Sequence, residues 1–296
     1  MKIFLDTAEL NEIKLANSWG VIDGVTTNPS LIKKAVEARK SITIEDYIRE
    51  IVQTVTGPVS LEVIALTAHE MLNQAQILYD KFSSFGDVAI KIPINTSIGQ
   101  NIGDFEGIQV IQKLAEIDIP INVTLVMKPE QALLAAKAGA TYVSPFVGRI
   151  DDYIRTNLGL TSGVDFQKTD YYDASLLSDI LDSKILSTAT VETSISPSFI
   201  RTIHQESQVG NDNGVWSGID LVQKILTIYE QYDYPTEVIG ASVRNIQQVR
   251  ELAEIGTHIA TIPFPLVLAM IQHPKTREGI QAFTADIVPE YEQLFK

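Results

Sequence analysis

Short apolar runs alternate along the chain with longer segments in which apolar residues recur every three to four positions. Runs of the first kind are typical of β-strands, and segments of the second kind are typical of amphipathic helices. The run at residues 58–64, for example, precedes Thr67 and Glu70, which form a capping box ahead of helical spacing. This alternation indicates parallel βα units rather than a sandwich of two sheets.

The pattern predicts eight strands, at residues 2–6, 24–27, 58–64, 88–92, 121–126, 142–147, 237–241 and 258–262. One helix is predicted from Ala8 and another between Pro129 and Gly139. Two more are marked by apolar residues on one face: Met71, Ala75, Leu78 and Phe82, then Ile108, Ile111, Leu114 and Ile117. Eight strands with interleaved helices favour an α/β fold, a closed (β/α)8 TIM barrel formed by one domain over residues 1–296.

The segment from about residue 152 to 214 breaks this rhythm, since a strand-to-helix connection normally needs only a few residues. It is rich in polar residues and glycine, and it contains two short helical patterns, around residues 176–181 and from Pro197. We predict an inserted helical loop or subdomain after the sixth strand. A lid over the catalytic face and a surface ornament both fit this segment.

Composition narrows the function classes. The chain has 23 Lys and Arg against 37 Asp and Glu, a net charge of −14, without a dense basic run. Nucleic-acid binding is therefore disfavoured, although a few arginines can still bind a small anion.

The absence of cysteine excludes disulfides and thiolate chemistry. The four histidines have no ligand spacing that suggests a metal site, and no cofactor is expected either. The apolar N-terminal run meets Asp6 too early for a signal peptide or membrane span, which favours a cytoplasmic protein without a membrane partner.

Lys91 is the residue most suggestive of chemistry, because it lies within the apolar run of the fourth strand. Period-two alternation places Lys91 on the face of that strand opposite Ile90 and Ile92, and thus inside a barrel. A lysine removed from water favours its neutral amine, which attacks carbonyl carbons. From this run alone, a lysine that reaches solvent or pairs with an acid is the more ordinary explanation.

The other strand ends change that balance. Seven of the predicted strands carry polar candidates for the barrel interior at the end where barrel enzymes place their chemistry: Asp6, Thr27, Asn28, Glu62, Lys91, Asn122, Thr124, Ser144, Ser242 and Arg244. Taken one at a time, these residues also have ordinary structural explanations. The carboxylates could simply neutralise Lys91, and Asn28 could be a turn residue. Arg149 and Arg244 could form surface ion pairs. Together, an amine, two carboxylates and two arginines fit cleavage of a carbon–carbon bond beside a ketone in a sugar phosphate.

Six ordered motifs carry a resemblance to a known family. They are Phe4-Leu5-Asp6-Thr7-Ala8, Thr26-Thr27-Asn28-Pro29-Ser30-Leu31, Ala89-Ile90-Lys91-Ile92-Pro93, Asn122-Val123-Thr124, Ser144-Pro145-Phe146-Val147-Gly148-Arg149 and Gly240-Ala241-Ser242-Val243-Arg244-Asn245. In this order, over about residues 1–152 and 215–296, the chain resembles transaldolases, especially the short form, and the related fructose-6-phosphate aldolases.

The resemblance implies a transferase of the pentose phosphate pathway with Lys91 as the Schiff-base residue and Asp6 as the acid and base of bond cleavage. Glu62 and Thr124 would hold a catalytic water, and Asn122 would lie close to Lys91. The expected substrate contacts are Thr27, Asn28 and Ser144 for hydroxyls, with Arg149, Ser242 and Arg244 for the phosphate. The implied reaction moves a dihydroxyacetone unit from fructose 6-phosphate or sedoheptulose 7-phosphate to an aldose phosphate.

Two positions bear on the choice within the family. Glu62 and Phe146 are similar to the residues of true transaldolases, whereas the aldolase branch tends to have Gln and Tyr there and releases free dihydroxyacetone. A non-catalytic sugar-phosphate-binding protein is the alternative of another class, but binding alone needs no buried amine. The resemblance is compatible with a homo-oligomer, although the long segment after the sixth strand could block the contacts that short forms use.

Overall fold

The computed structural model describes residues 1–37, 42–99, 104–173, 177, 179, 180, 183 and 209–296. Its eight strands are β1 Lys2–Asp6, β2 Gly24–Thr26, β3 Val59–Glu62, β4 Val88–Pro93, β5 Ile121–Val126, β6 Tyr142–Pro145, β7 Glu237–Gly240 and β8 Ile259–Ile262. All neighbouring pairs are parallel, and β8 pairs with β1, so the sheet closes into one barrel in chain order. The predicted (β/α)8 architecture is confirmed.

Helices connect the strands and cover the outside of the barrel. Among the described residues they are α1 Leu10–Ser18, α2 Pro29–Glu37, α3 Ile44–Thr54, α4 Ala68–Phe82, α5 Glu106–Ala115, α6 Pro129–Lys137, α7 Val147–Asn157, α8 Gly218–Gln231, α9 Ile246–Glu254, α10 Phe264–Met270, α11 Pro274–Ala285 and α12 Pro289–Glu292. A short 3-10 helix, Gln293–Phe295, follows. The same residues contain no helix with both the length and the apolar composition that a bilayer crossing requires.

The core lies between the barrel wall and this helical layer. Ile90 and Ile92 of β4 are fully buried there and belong to the same cluster as Ile111 and Leu114 of α5. Lys91 lies between the two isoleucines in sequence, so the alternation of the strand directs it to the other face of the sheet. The apolar wall thus determines which residues face the barrel interior.

Local signals fix several helix ends as the sequence predicts. The Thr67 hydroxyl accepts a hydrogen bond from the backbone N–H of Glu70, which caps α4. Pro129 begins α6, and Gly139 follows its end with φ +98°, a backbone conformation that favours glycine. Ser217 and Asn245 likewise cap α8 and α9 through their side-chain oxygens.

Some predicted boundaries were wrong. The first helix begins at Leu10 rather than Ala8, and α5 ends before Ile117, which is exposed beyond it. The sixth strand ends at Pro145, because Val147 already begins α7. That helix continues across residue 152 to Asn157, since the spacing of its buried residues packs it against the barrel. Of the predicted helical pattern around residues 176–181, residues 177, 179 and 180 are described and are helical. The other residues of that pattern, and the whole pattern from Pro197, lie outside the described residues.

Candidate active site

A cavity of about 150 Å³ opens where the strands end. Its lining is largely polar and comes from most of the strands: Asp6, Thr26, Asn28, Lys91, Thr124, Ser144, Phe146, Arg149, Ala241, Ser242 and Thr261. Eight of these eleven were predicted as site residues from the sequence. Barrel enzymes place their chemistry at this end, so the cavity is the candidate active site.

Lys91 lies at the inner end of the cavity and is only 7% exposed. Strands β3 and β4 pair with Glu62 opposite Lys91, and the Lys91 Nζ lies 2.9 Å from Glu62 Oε2. The same Nζ donates to the backbone carbonyl of Thr27 at 3.0 Å. These two contacts hold the amine in one orientation at the cavity wall.

Asp6 ends β1 and lies in the same cavity. Its Oδ1 accepts a hydrogen bond from the Thr26 hydroxyl at 3.0 Å. Burial raises the pKa of the Asp6 carboxyl above its ordinary value, while the charge of Lys91 and the hydrogen bond from Thr26 oppose that shift. A carboxyl whose pKa is raised in this way is suited to exchange protons with a bound substrate.

Asn122 and Ser144 form a fixed polar wall. Asn122 is fully buried, its Nδ2 donates to the Ser60 hydroxyl at 3.0 Å, and its Oδ1 accepts from the Ser144 hydroxyl at 2.7 Å. Strand register places Asn122 directly beside Lys91. The Ser144 hydroxyl lines the cavity, so Asn122 acts on the cavity through Ser144.

The two arginines lie at the outer end and differ in their contacts. The Arg149 guanidinium lies 4.9 Å from the centroid of the Phe146 ring and is exposed. Arg244 is paired with the Asp152 carboxylate, with side-chain exposures of 17% and 20%. The Asp152 contact uses Nη1 of Arg244, whose guanidinium carries five N–H donors in all.

Gly148 brings these groups together. A Cβ at this position would lie 2.5 Å from the Ser242 carbonyl oxygen and 2.7 Å from the Arg244 Nε, closer than van der Waals contact allows. The missing side chain lets α7 approach the loop after β7, where Ser242 has φ +59°. Arg149, Ser242 and Arg244 thereby lie at one end of the site.

Asp151, a buried carboxylate of α7, connects the elements that carry Arg149 and Arg244. It is 2% exposed, and its two oxygens accept from the Gly218 N–H and the Gln248 side-chain amide, each at 2.7 Å. The Gln248 Oε1 in turn accepts from the Arg244 backbone N–H at 2.8 Å. One buried carboxylate therefore links α7, the start of α8 and the loop that carries Arg244.

Known proteins match the chain over nearly its whole length. The family model described as transaldolase/fructose-6-phosphate aldolase matches residues 3–203 and 186–296. The chain belongs to this family. Relatives named probable transaldolase match from Chlorobium chlorochromatii, at 40% identity over 97% of both chains, and Carboxydothermus hydrogenoformans, at 36% over 97% of both. One from Kosmotoga olearia matches at 37% identity over 97% of this chain and 95% of its own. A solved mandelate oxidase variant matches at 12% identity over 89% of this chain and 64% of its own, with a TM-score of 0.43, too weak a likeness to carry an argument.

The transaldolase/fructose-6-phosphate aldolase relatives also bear on the long segment after β6. Each of these alignments covers 97% of this chain and 97% of the relative, so neither protein lacks a long segment that the other has. The segment is therefore common to these relatives and not peculiar to this chain. Its role as a lid or ornament stays a prediction.

Four predicted site residues do not line the cavity. Glu62 contacts Lys91, Asn122 contacts Ser144, and Arg244 contacts Asp152, so each lies one contact behind the wall. The Thr27 hydroxyl donates instead to the Ser60 carbonyl at 2.7 Å, and only its own carbonyl reaches Lys91.

Sequence reasoning missed Thr26 and Thr261, which both line the cavity. The signal was available: Thr26 has the same strand parity as Asn28, so period two favours Thr26 over Thr27 for the interior. Thr261 is the one hydroxyl-bearing residue of β8 and would have completed the ring of polar strand ends.

Proposed function

We propose that the protein is a transaldolase, which moves a dihydroxyacetone unit from a ketose phosphate to an aldose phosphate through a Schiff base on Lys91. The observation that carries the proposal is the buried Lys91 amine, which lines the cavity with Asp6 and contacts Glu62 at 2.9 Å. The relatives named probable transaldolase support the same activity.

In this proposal the reaction begins at the ketone carbon of the donor sugar. The neutral Lys91 amine adds to this carbon, and loss of water from the carbinolamine forms the iminium. Glu62 takes the ammonium proton at 2.9 Å and returns a proton to the departing hydroxyl, with a water held between Glu62 and Thr124. A carboxylate beside the amine is needed because both steps move a proton.

Asp6 then takes the proton from the hydroxyl at the bond to be broken. The bond electrons move into the iminium and form an enamine on Lys91, and the aldose phosphate leaves as an aldehyde. The acceptor aldehyde binds, the enamine carbon attacks it, and Asp6 gives its proton to the new alkoxide. Water addition to the iminium finally releases the product ketose and restores Lys91.

The remaining wall residues bind the sugar. Asn28 and Ser144 line the cavity and would contact sugar hydroxyls, with Asn122 fixing the Ser144 orientation. Arg149, Ser242 and Arg244 bind the phosphate at the outer end, with Phe146 stacked under Arg149. The cavity is small, so the phosphate lies toward its open mouth. The cytoplasmic location and a homo-oligomer stay predictions.

Trapping with borohydride tests the Schiff base. Incubation with fructose 6-phosphate and borohydride should give a secondary amine on Lys91, located by mass spectrometry of peptides. Lys128, a surface lysine at the N-cap of α6, is the internal control and should stay unmodified. No adduct, or an adduct on another lysine, contradicts the proposed mechanism.

A coupled assay with and without erythrose 4-phosphate separates transfer from aldol cleavage. A transaldolase forms glyceraldehyde 3-phosphate from fructose 6-phosphate only when the acceptor is present. Release of free dihydroxyacetone at a comparable rate would instead assign the aldolase activity of the same family. A protein that binds sugar phosphates without any turnover or adduct would belong to the non-catalytic class.

A further inference from the structure

We propose that Thr26 and Thr261 form a two-hydroxyl relay that holds the Asp6 carboxylate and adjusts to its protonation during the reaction. The proposal rests on the proposed function, because it assigns Asp6 the proton transfer of bond cleavage. Neither threonine was predicted as a site residue from the sequence. Both are positioning residues, which act on the reaction through Asp6.

The barrel brings Asp6 and the two threonines together, with Thr26 between Asp6 and Thr261 in the hydrogen-bonded row. Strand β1 lies between β2 and β8, and Asp6 is paired in register with Thr26. The Thr26 Oγ1 lies 3.0 Å from Asp6 Oδ1 and 2.5 Å from Thr261 Oγ1. The three side chains therefore form one row across strands β8, β2 and β1.

Burial strengthens the hydrogen bonds among Asp6, Thr26 and Thr261. Thr26 is 4% exposed and Thr261 is 3% exposed, so water competes little for their hydroxyls. A methyl group in place of either oxygen would fill the same space, so packing alone would be served equally well by valine. Two oxygens at 2.5 Å, however, require a shared proton in a hydrogen bond.

Counting protons gives the relay a direction. A threonine hydroxyl has one proton to donate. When Asp6 is ionised, Thr26 donates that proton to Asp6 Oδ1, so Thr261 must donate to Thr26. When Asp6 carries a proton on Oδ1, it donates to Thr26, and Thr26 turns its own proton toward Thr261. Both hydroxyls rotate, while each oxygen keeps its proton and no heavy atom has to move.

This rotation has a consequence for catalysis. Asp6 alternates between the ionised and protonated states in the proposed reaction, and the row supplies a hydrogen-bond partner to each state. The other charged groups around Asp6 are Lys91 and Glu62, which lie on β4 and β3. Neither of them can switch from donor to acceptor by rotation alone, which is the property that the two threonines add.

Valine substitutions with a double-mutant cycle test the relay. Thr26→Val should lower kcat by about 10- to 100-fold, because it removes a hydrogen bond to a charged group, and Thr261→Val by about two- to tenfold, because it removes a neutral one. Each should move the acidic limb of the kcat profile to higher pH, since losing the donor disfavours ionised Asp6, while KM changes little. In the Thr26→Val background, Thr261→Val should have no further effect.

Controls separate this from loss of structure. Thr26→Ser and Thr261→Ser keep the hydroxyls and should retain wild-type pH profiles. Thr236→Val removes a buried hydroxyl that bonds to the Ala140 carbonyl at the other end of the barrel, and should leave the pH profile unchanged. Thr261→Ala removes the same oxygen without a new methyl and replaces Thr261→Val if valine does not fit.

The possible outcomes are distinct. Additive effects of the two valines, or a wild-type pH profile in Thr261→Val or Thr261→Ala, would overturn the relay. The borohydride adduct on Lys91 should still form in every threonine variant, because the relay acts on Asp6. If the wild-type protein itself forms no adduct, the proposed function fails independently of the relay.

Discussion

The two ends of the candidate site are built differently. At the inner end, Lys91, Glu62 and Asp6 belong to strands β4, β3 and β1 themselves, and Lys91 is only 7% exposed. At the outer end, Arg149 is exposed on α7 and Arg244 lies in the loop after β7. Strand register alone fixes the distance between the inner groups, whereas helix packing fixes the outer ones.

This difference separates chemistry from binding. Proton transfers and imine formation need groups within hydrogen-bond distance of each other, which paired strands provide without further support. A phosphate needs only local positive charge and a few donors, which side chains on loops can supply. Substitutions at the inner end should therefore lower kcat. Substitutions at the outer end should raise KM and reduce the preference for phosphorylated over unphosphorylated substrates.

Lys91→Met gives the largest expected effect. It removes the nucleophile but keeps a side chain of similar length, so turnover should fall by at least about 10³-fold. The coupled assay measures the loss, and inorganic phosphate should still bind at the outer end, as measured by calorimetry. Lys224→Met removes a lysine from a partly exposed pair with Asp220, away from the cavity, and should leave turnover unchanged. Activity retained in Lys91→Met would place the nucleophile elsewhere.

Asp151→Asn tests how the outer end is supported. Burial raises the pKa of Asp151 from 3.8 to about 6. Between these values the folded protein holds a proton that the unfolded chain lacks, so the Asp151 contribution to stability falls as pH rises from about 4 to 6. The loss amounts to about 3 kcal/mol at neutral pH. Asparagine cannot titrate, so wild type should gain about that much stability over the variant on acidification.

Denaturant unfolding of both proteins from pH 7 to pH 4 measures this difference. Other carboxylates titrate in the same range, but they are common to both proteins and cancel in the comparison. The neighbours that set this pKa, Arg155 and Glu251 among them, are also unchanged. Parallel stability curves would show that Asp151 does not titrate as proposed.

The inner end could be predicted well from the sequence, because strand periodicity determines which residues face inward. Lys91 alternates with fully buried isoleucines, and that parity is readable without a structure. The same rule should have replaced Thr27 with Thr26. It failed there because Thr26, Thr27 and Asn28 are consecutive polar residues, and the strand end at Thr26 could not be located.

The outer end was less predictable, because its contacts join distant parts of the chain. The links from Asp151 to Gly218 and Gln248, and from Asp152 to Arg244, span 67, 97 and 92 residues. Local patterns carry no information about such pairs. Sequence reasoning therefore proposed Arg149 and Arg244 as phosphate ligands but missed both carboxylates that organise them.

Arg244→Ala should act mainly on phosphorylated substrates. Loss of a half-buried guanidinium should lower kcat/KM for fructose 6-phosphate by about 30- to 100-fold, with little change for unphosphorylated fructose. The variant also leaves Asp152 without its ion pair, so Arg244→Ala with Asp152→Asn serves as the control that removes both charges. If fructose and its phosphate lose activity equally, Arg244 supports the fold of the site rather than the phosphate.

Arg149→Ala should have the smallest effect of the series. Arg149 is exposed, and it makes no ion pair with any residue that the structure describes. Its guanidinium is therefore free to meet the phosphate, but water and salt screen the attraction, so KM should rise by only about three- to tenfold. The increase should shrink as ionic strength is raised, whereas the Arg244 effect should persist because Arg244 is more buried. Arg149→Lys keeps the charge but stacks less well on Phe146, and should lie between wild type and alanine. An Arg149 effect as large and as salt-independent as that of Arg244 would mean that the outer end closes around the phosphate and excludes water as the inner end does.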